Sequence, residues 1–207
     1  MPSFEIEENY DGIVVGVDEA GRGPWVGPVV AGAVVFVSRD INPYLFENLN
    51  DSKKISEKKR EELYKVLREE EVKGRLFIGI GEASSKEIDE HNILKATFMA
   101  MERAVKSLNT NVDMAVLDGN QCPKNFVCPT KSVIKGDGKS YSIAAASIVA
   151  KVYRDRLLKE MALKYPQYGF DKNAGYGTKE HINALKKHGI TPEHRMSYKP
   201  IKALLEE

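Results

Sequence analysis

Only two cysteines occur in the 207 residues, Cys122 and Cys128, each followed by a proline, and neither has a second Cys or His nearby at the short spacing of a zinc site. The four histidines, His91, His181, His188 and His194, form no paired pattern with them. A loop disulfide stays open on spacing alone, but two free thiols are the expected state. No stretch reaches the roughly eighteen uninterrupted apolar residues of a membrane helix. The start is acidic, with Glu5, Glu7 and Glu8, unlike a secretory signal. A cytoplasmic protein with no membrane partner is therefore expected. Internal repeats, low-complexity tracts and long linkers are also missing, which argues for one domain over residues 1–207. A hydrophobic content of 42% suits a single globular core of that size.

The near-zero net charge of +1 hides an asymmetry. Residues 1–130 hold 16 Lys+Arg against 22 Asp+Glu, whereas residues 131–207 hold 15 against 8, so the halves carry −6 and +7. A basic C-terminal part suits a polyanionic partner, although a solvated helical surface would read the same way.

Apolar runs and helical patterns alternate along the chain. Ile13–Val17, Pro28–Val37 and Lys73–Ala83 read as strands, with a helix over Ser56–Glu71 stopped at Gly74. A second helix starts at Ser84 or Ser85 and runs to about Leu108, on a core stripe of Ile88, Ile93, Leu94, Phe98, Met101 and Val105. Val112–Leu117 is a further strand, and a short one follows around Ser132–Ile134. The small-residue run from Ser142 to Ala150 predicts a helix packed closely on the sheet and continuing to Lys164. Tyr168–Thr178 reads as irregular, Lys179–His188 as a short helix, and the tail as largely unpatterned.

The segment Val14-Val15-Gly16-Val17-Asp18-Glu19-Ala20-Gly21-Arg22-Gly23 concentrates the chemistry. Two acids at the end of an apolar strand are costly unless a cation or hydrogen bonds compensate them. The strand Val112–Leu117 also ends in an acid, Asp118 before Gly119, and Asp137 stands between two glycines. Strand-end acids in an α/β sheet can converge, and four carboxylates suit hard divalent cations that hydrolyse a phosphodiester. Taken singly, Asp118 and Asp137 read equally well as turn formers, and Lys135, Lys139 and Lys151 as solvated cations. Their co-occurrence with a Gly-Arg-Gly turn and a basic glycine-tyrosine loop narrows the choice. A non-catalytic nucleic-acid binding module and a two-metal small-molecule phosphohydrolase remain the alternatives. In a regular strand Asp18 and Glu19 face opposite sides, so Glu19 is expected to gain its reach where the chain leaves the strand at Ala20-Gly21.

These residues resemble the type 2 ribonucleases H, also called ribonuclease HII. The likeness rests on Gly16–Gly23 with Gly27-Pro28-Val29-Val30, on Asn50-Asp51-Ser52-Lys53-Lys54, on Leu117-Asp118-Gly119, on Lys135-Gly136-Asp137 with Ser142–Lys151, and on Gly175-Tyr176-Gly177-Thr178, in order along nearly the whole chain. It implies a ribonuclease H-like α/β fold with a central mixed five-stranded sheet flanked by helices, and a helical substrate-binding extension over about 166–207. It implies endonucleolytic hydrolysis of the RNA strand of RNA/DNA hybrids and incision 5′ of single ribonucleotides in duplex DNA, leaving 3′-hydroxyl and 5′-phosphate ends in ribonucleotide excision repair. Asp18, Glu19, Asp118 and Asp137 would be the catalytic carboxylates holding two Mg2+ or Mn2+ ions. Gly21, Arg22 and Gly23 would read the ribose 2′-hydroxyl, Tyr176 would pack on the following deoxyribose, and Asn50, Ser52 and Lys53 would hold phosphates. Ala174 departs from the lysine of many relatives and loses one phosphate contact. The C-terminal residues show no sliding-clamp peptide, and a monomer is expected. Type 3 relatives carry an added N-terminal domain for which this chain has no room, which favours type 2.

Overall fold

In the computed structural model, which describes residues 2–205 apart from the side chains of Lys53 and Leu205, the apolar run at Val14 becomes the middle of a five-stranded sheet. Strands β1 (Val14–Ala20), β2 (Val29–Phe36) and β3 (Leu76–Ala83) form an antiparallel meander. Strands β4 (Met114–Asp118) and β5 (Thr130–Val133) add in parallel on the other side of β1. The order is β3-β2-β1-β4-β5, the mixed five-stranded sheet that the family resemblance implies. With neighbours on both edges and helices on both faces, β1 buries Val14, Val15 and Val17 in near succession, which is why its sequence does not alternate.

The helices are α1 (Pro43–Asn48), α2 (Glu57–Val72), α3 (Ser85–Lys106), α4 (Tyr141–Lys164), α5 (Phe170–Asn173), α6 (Lys179–His188) and α7 (Lys199–Leu205). On one face, Ala96, Ala100, Met101 and Ala104 of α3 pack on Val15, Val17, Ala31 and Leu117. On the other, Ala145, Ile148 and Val149 of α4 join Val34, Ile78, Leu45, Leu63 and Leu67. The contact of α4 with the sheet is close. A Cβ on Gly16 would lie 2.2 Å from the Ser142 carbonyl carbon, and one on Gly32 would lie 2.4 Å from the Ala146 oxygen. Glycines in the strands and alanines in the helix thus seat α4 directly against β1 and β2. A third cluster joins Val26, Leu158, Tyr168, Phe170, Leu185 and Ile201, so the chain beyond residue 166 packs on the β1–β2 connection.

Several local expectations change. Strand β3 begins at Leu76 rather than Lys73, because Gly74, at φ 70°, turns the chain out of α2. Helix α3 is broken at Asn92, which takes φ 67° and accepts through Oδ1 from the amides of Leu94 and Lys95. Asn92 therefore caps a second helical segment inside what reads as one stripe. Helix α1, opened by Asn42 and Pro43, has no counterpart in the sequence reading. The stretch read as irregular contains α5, and the tail read as unpatterned contains α7. Cys122 and Cys128 are both free. Among the described residues, no helix is long and apolar enough to cross a membrane.

Candidate active site

Register brings the first two acids together. β1 and β4 run parallel, and their last paired residues are Val17 and Leu117. Asp18 and Asp118 each follow directly, so they stand side by side where the two strand ends part, the place where open α/β sheets hold ligands. Both share the face of Val14 and Val116, which pack with Ile143 of α4. Asp118 Oδ1 accepts from the Gly136 amide at 2.7 Å, which draws the turn after β5 inward and delivers Asp137. Glu19 lies within β1 rather than beyond it, paired with Ala31. Its reach comes from its place at the end of the sheet, where it lines two adjoining hollows. One, of about 160 Å³, includes Asp118, Asn120 and Phe98, and the other, of about 300 Å³, includes Gly21–Pro24, Ser52, Lys151 and Arg154.

Asp18 is only 6% exposed. Its carboxyl is pushed well above the ordinary range, first by burial and then by the charges of Glu19, Asp118 and Asp137, against a lowering bond from the Glu19 amide at 2.7 Å. Crowded carboxylates of this kind are the donor set and the charge excess that a hard divalent cation compensates. Among the described residues, no three acidic, His or Cys side chains are placed to hold an ion together, so the carboxylates do not form a finished cage.

The turn after β1 is held by residues distant in sequence. Gly21 has φ 95°, and a Cβ there would meet Arg154 Nε at 1.9 Å, so only glycine fits. The buried guanidinium of Arg195 donates to the carbonyls of Gly21, Arg22, Pro24 and Gly27, and the Tyr198 hydroxyl also donates to the Arg22 carbonyl. Arg154 donates to the carbonyls of Val26, Pro28 and Ala174, and burial beside the Arg195 charge pulls it down to about 10. Asp89 at the start of α3 accepts from the amides of Met196 and Ser197 and so anchors the segment that carries Arg195. The Tyr176 ring, in a residue 53% exposed, stands against Gly23, where an added Cβ would lie 3.4 Å from its Cε1.

The structure thus gathers Asp18, Glu19, Asp118, Asp137, Gly21, Arg22, Gly23, Ser52 and Tyr176 around one end of the sheet. Arg22 reaches back to Glu19 at 3.4 Å. Asn50 does not line either hollow, and its Oδ1 accepts from the Asp51 amide instead. The Lys53 side chain lies outside the described residues. Ala174 takes φ 51° and gives its carbonyl to Arg154. Lys151, Arg154, Arg195 and Tyr198 have no site role in the sequence reading. Lys151 carries only an i,i+4 pairing with Asp155, a pattern shared by many surface helices.

The family model of ribonuclease HII matches residues 15–201. This chain belongs to the ribonuclease HII family. A ribonuclease HII of Paramagnetospirillum magneticum is 49% identical over 201 residues, covering 97% of each chain. The crystal structure of ribonuclease H2 from Pyrococcus horikoshii superposes with a TM-score of 0.77 at 28% identity, over 94% of this chain and 98% of that one. The fold alone is shared with a ribonuclease HIII structure in complex with Mn2+, at a TM-score of 0.71 and 14% identity over 94% of this chain and 69% of that one. As a ribonuclease HII, the chain is a hydrolase with ribonuclease H activity on RNA paired with DNA, in a family of divalent-metal nucleases.

Proposed function

We propose that this ribonuclease HII cuts the RNA strand of RNA/DNA hybrids endonucleolytically and incises duplex DNA on the 5′ side of a single embedded ribonucleotide. It leaves 3′-hydroxyl and 5′-phosphate ends and so opens ribonucleotide excision repair. One observation carries the reading: β1, whose Asp18 stands beside Asp118 of β4, continues directly into the Gly21–Gly23 turn, which lines a cleft of about 300 Å³ together with Tyr176. Hydrolysis and recognition of a sugar therefore share one short stretch of backbone.

Asp18, Glu19, Asp118 and Asp137 would hold two divalent cations, Mg2+ or Mn2+, which when bound neutralise phosphate charge and activate water. Asp18, crowded by the other three, is the carboxylate best suited to be shared. Asp118 has a second task, because its bond to the Gly136 amide orients both itself and the Asp137 turn. With the carbonyls of Gly21, Arg22 and Pro24 engaged by Arg195, the turn offers its remaining peptide groups to the ribose 2′-hydroxyl, the group that separates RNA from DNA. The Tyr176 ring packs on the next deoxyribose, where an added hydroxyl would be crowded. Ser52 and Lys151 line the same cleft and suit phosphate oxygens, with Asn50 and Lys53 of the neighbouring segment guiding the strand. Residues from about 166 onward, part of the basic half, hold the duplex.

The test is a DNA duplex containing one ribonucleotide, assayed with Mg2+ or Mn2+ and read by the position and end chemistry of the cut. Asp118→Asn should abolish cutting while binding persists. Cutting at the wild-type rate by that variant would overturn the assignment.

A further inference from the structure

His181, on the first turn of α6, and His194, in the segment ahead of α7, are buried, and their Nε2 atoms lie 3.1 Å apart. One proton can occupy that contact, and the outer ring nitrogens decide which histidine supplies it. The Thr191 backbone N–H can only donate, and it meets His194 Nδ1 at 2.9 Å, with Thr191 Oγ1 also 2.9 Å away. His194 Nδ1 therefore accepts, and the proton of the neutral ring is on Nε2. His194 Nε2–H then donates to His181 Nε2. This leaves the His181 proton on Nδ1, which donates to the Tyr176 carbonyl at 2.9 Å. A single tautomer of each ring satisfies every contact, and a second proton on either ring would set two donors against one another.

The surroundings favour that neutral pair. The rings of Trp25, Tyr168 and Phe170 stand 5.4 to 6.1 Å from the two imidazoles. Burial pulls His181 below its ordinary range and, with His181 beside it, brings His194 to about 4. The other titratable groups nearby are directed elsewhere. The Tyr168 hydroxyl donates to the Gly189 carbonyl, His188 lies against the Tyr168 ring, and the Arg195 guanidinium is spent on the 21–27 turn.

Tyr176 is thereby fixed through its backbone. Its amide donates to the Asn173 carbonyl at 2.9 Å, and its own carbonyl accepts from the Thr178 amide at 2.8 Å as well as from His181. The exposed ring has Gly23 on one side, so the peptide planes around it set its direction.

We propose that His181, oriented by His194, is a positioning residue for substrate choice, holding the Tyr176 ring where it separates an isolated ribonucleotide from a run of RNA. This rests on the reading of Tyr176 as the residue that packs on the deoxyribose beyond the ribonucleotide. The consequence is that junction selectivity depends on a buried imidazole pair that touches no substrate.

Two substitutions at one site separate the halves of the relay. In His181→Asn the side-chain amide sits where Nδ1 was and still donates to the Tyr176 carbonyl. In His181→Gln the longer side chain keeps a partner for His194 and loses the carbonyl. The readout is the rate of incision at a single ribonucleotide divided by the rate on a long RNA/DNA hybrid. His181→Asn should keep this ratio within about twofold of wild type and His181→Gln should lower it roughly fivefold, the effect of one hydrogen bond. Equal ratios in the two variants, or the reverse order, would overturn the proposal. Tyr176→Ala is the control: an unchanged ratio there removes the reading of Tyr176 itself, whereas a lowered ratio there with wild-type behaviour in His181→Gln removes the relay alone. Independently of folding in any variant, nitrogen-15 spectra of the wild-type imidazoles at about pH 8 should show Nδ1–H for His181 and Nε2–H for His194. Any other tautomer assignment contradicts it.

Discussion

The two sides of the cleft are built in opposite ways. On the carboxylate side, Asp18, Glu19, Asp118 and Asp137 arrive by short steps from strand ends, and burial together with the neighbouring like charges raises the Asp18 carboxyl well above its ordinary range. On the recognition side, the Gly21–Gly23 turn and Tyr176 are held by groups that donate to backbone carbonyls: buried Arg195 for the turn, buried Arg154 for the chain at Val26 and Pro28 behind it, and His181 for Tyr176. The first side is locally simple and electrostatically unfavourable without a cation. The second is locally improbable, with its carbonyls braced by buried donors. Chemistry needs groups left partly unsatisfied until substrate and cations arrive, whereas recognition needs a surface that does not move.

The largest expected effect tests whether the two sides are separable. Asp118→Asn should lower cutting at least about a hundredfold on both the single-ribonucleotide duplex and the long hybrid, because it removes charge at the reacting phosphate. Loss confined to one substrate in steady-state assays would mean that the division into chemistry and recognition is drawn in the wrong place. Next comes Arg195→Met, which leaves several buried carbonyls without a donor and should cost about 3 to 5 kcal/mol in urea unfolding. A loss below about 1 kcal/mol would show that the turn holds itself. Gly21→Ala, strained by its φ of 95° and by Arg154, should reduce junction incision about tenfold while calorimetric metal binding stays near wild type.

Two smaller effects sharpen the electrostatic contrast. Asp18 has a folded-state pKa raised above the unfolded one, so its contribution to stability is present at low pH and lost as pH rises through the raised value. Metal-free protein should therefore lose stability between acid and neutral pH. Asp18→Asn should flatten that slope and Mg2+ should offset it in the wild type, both measured by denaturant midpoints. Identical slopes in wild type and variant would refute the crowding account. Glu87, outside both regions, shows the ordinary case: Arg103 and the Ser84 cap hold it down to about 2. Its stabilisation is present above the usual glutamate range and lost as pH falls toward 2. Since the pair is partly exposed, Glu87→Gln should cost no more than about 1 kcal/mol, with activity unchanged.

Legibility in the sequence follows the same division. Asp18, Glu19 and Asp118 could be found because an apolar run that ends in acids is a local pattern, and Asp137 because a short turn carries it. Arg154 looks like one more cation on a charged helix, and Arg195 stands in a tail without periodicity. Nothing local says that either is buried. His181 and His194 stand apart in sequence, and their pairing depends on how α6 and the tail fold back.

By itself, then, the sequence determined the strands and the longer helices, the family motifs and the four acids as candidates, because each depends on residues close together in the chain. The tertiary structure alone decided that Val17 pairs with Leu117, so that Asp18 meets Asp118, and that Arg195 and the histidine pair brace the opposite wall. Those arrangements depend on register and on burial of polar groups by distant segments, and no local pattern encodes either.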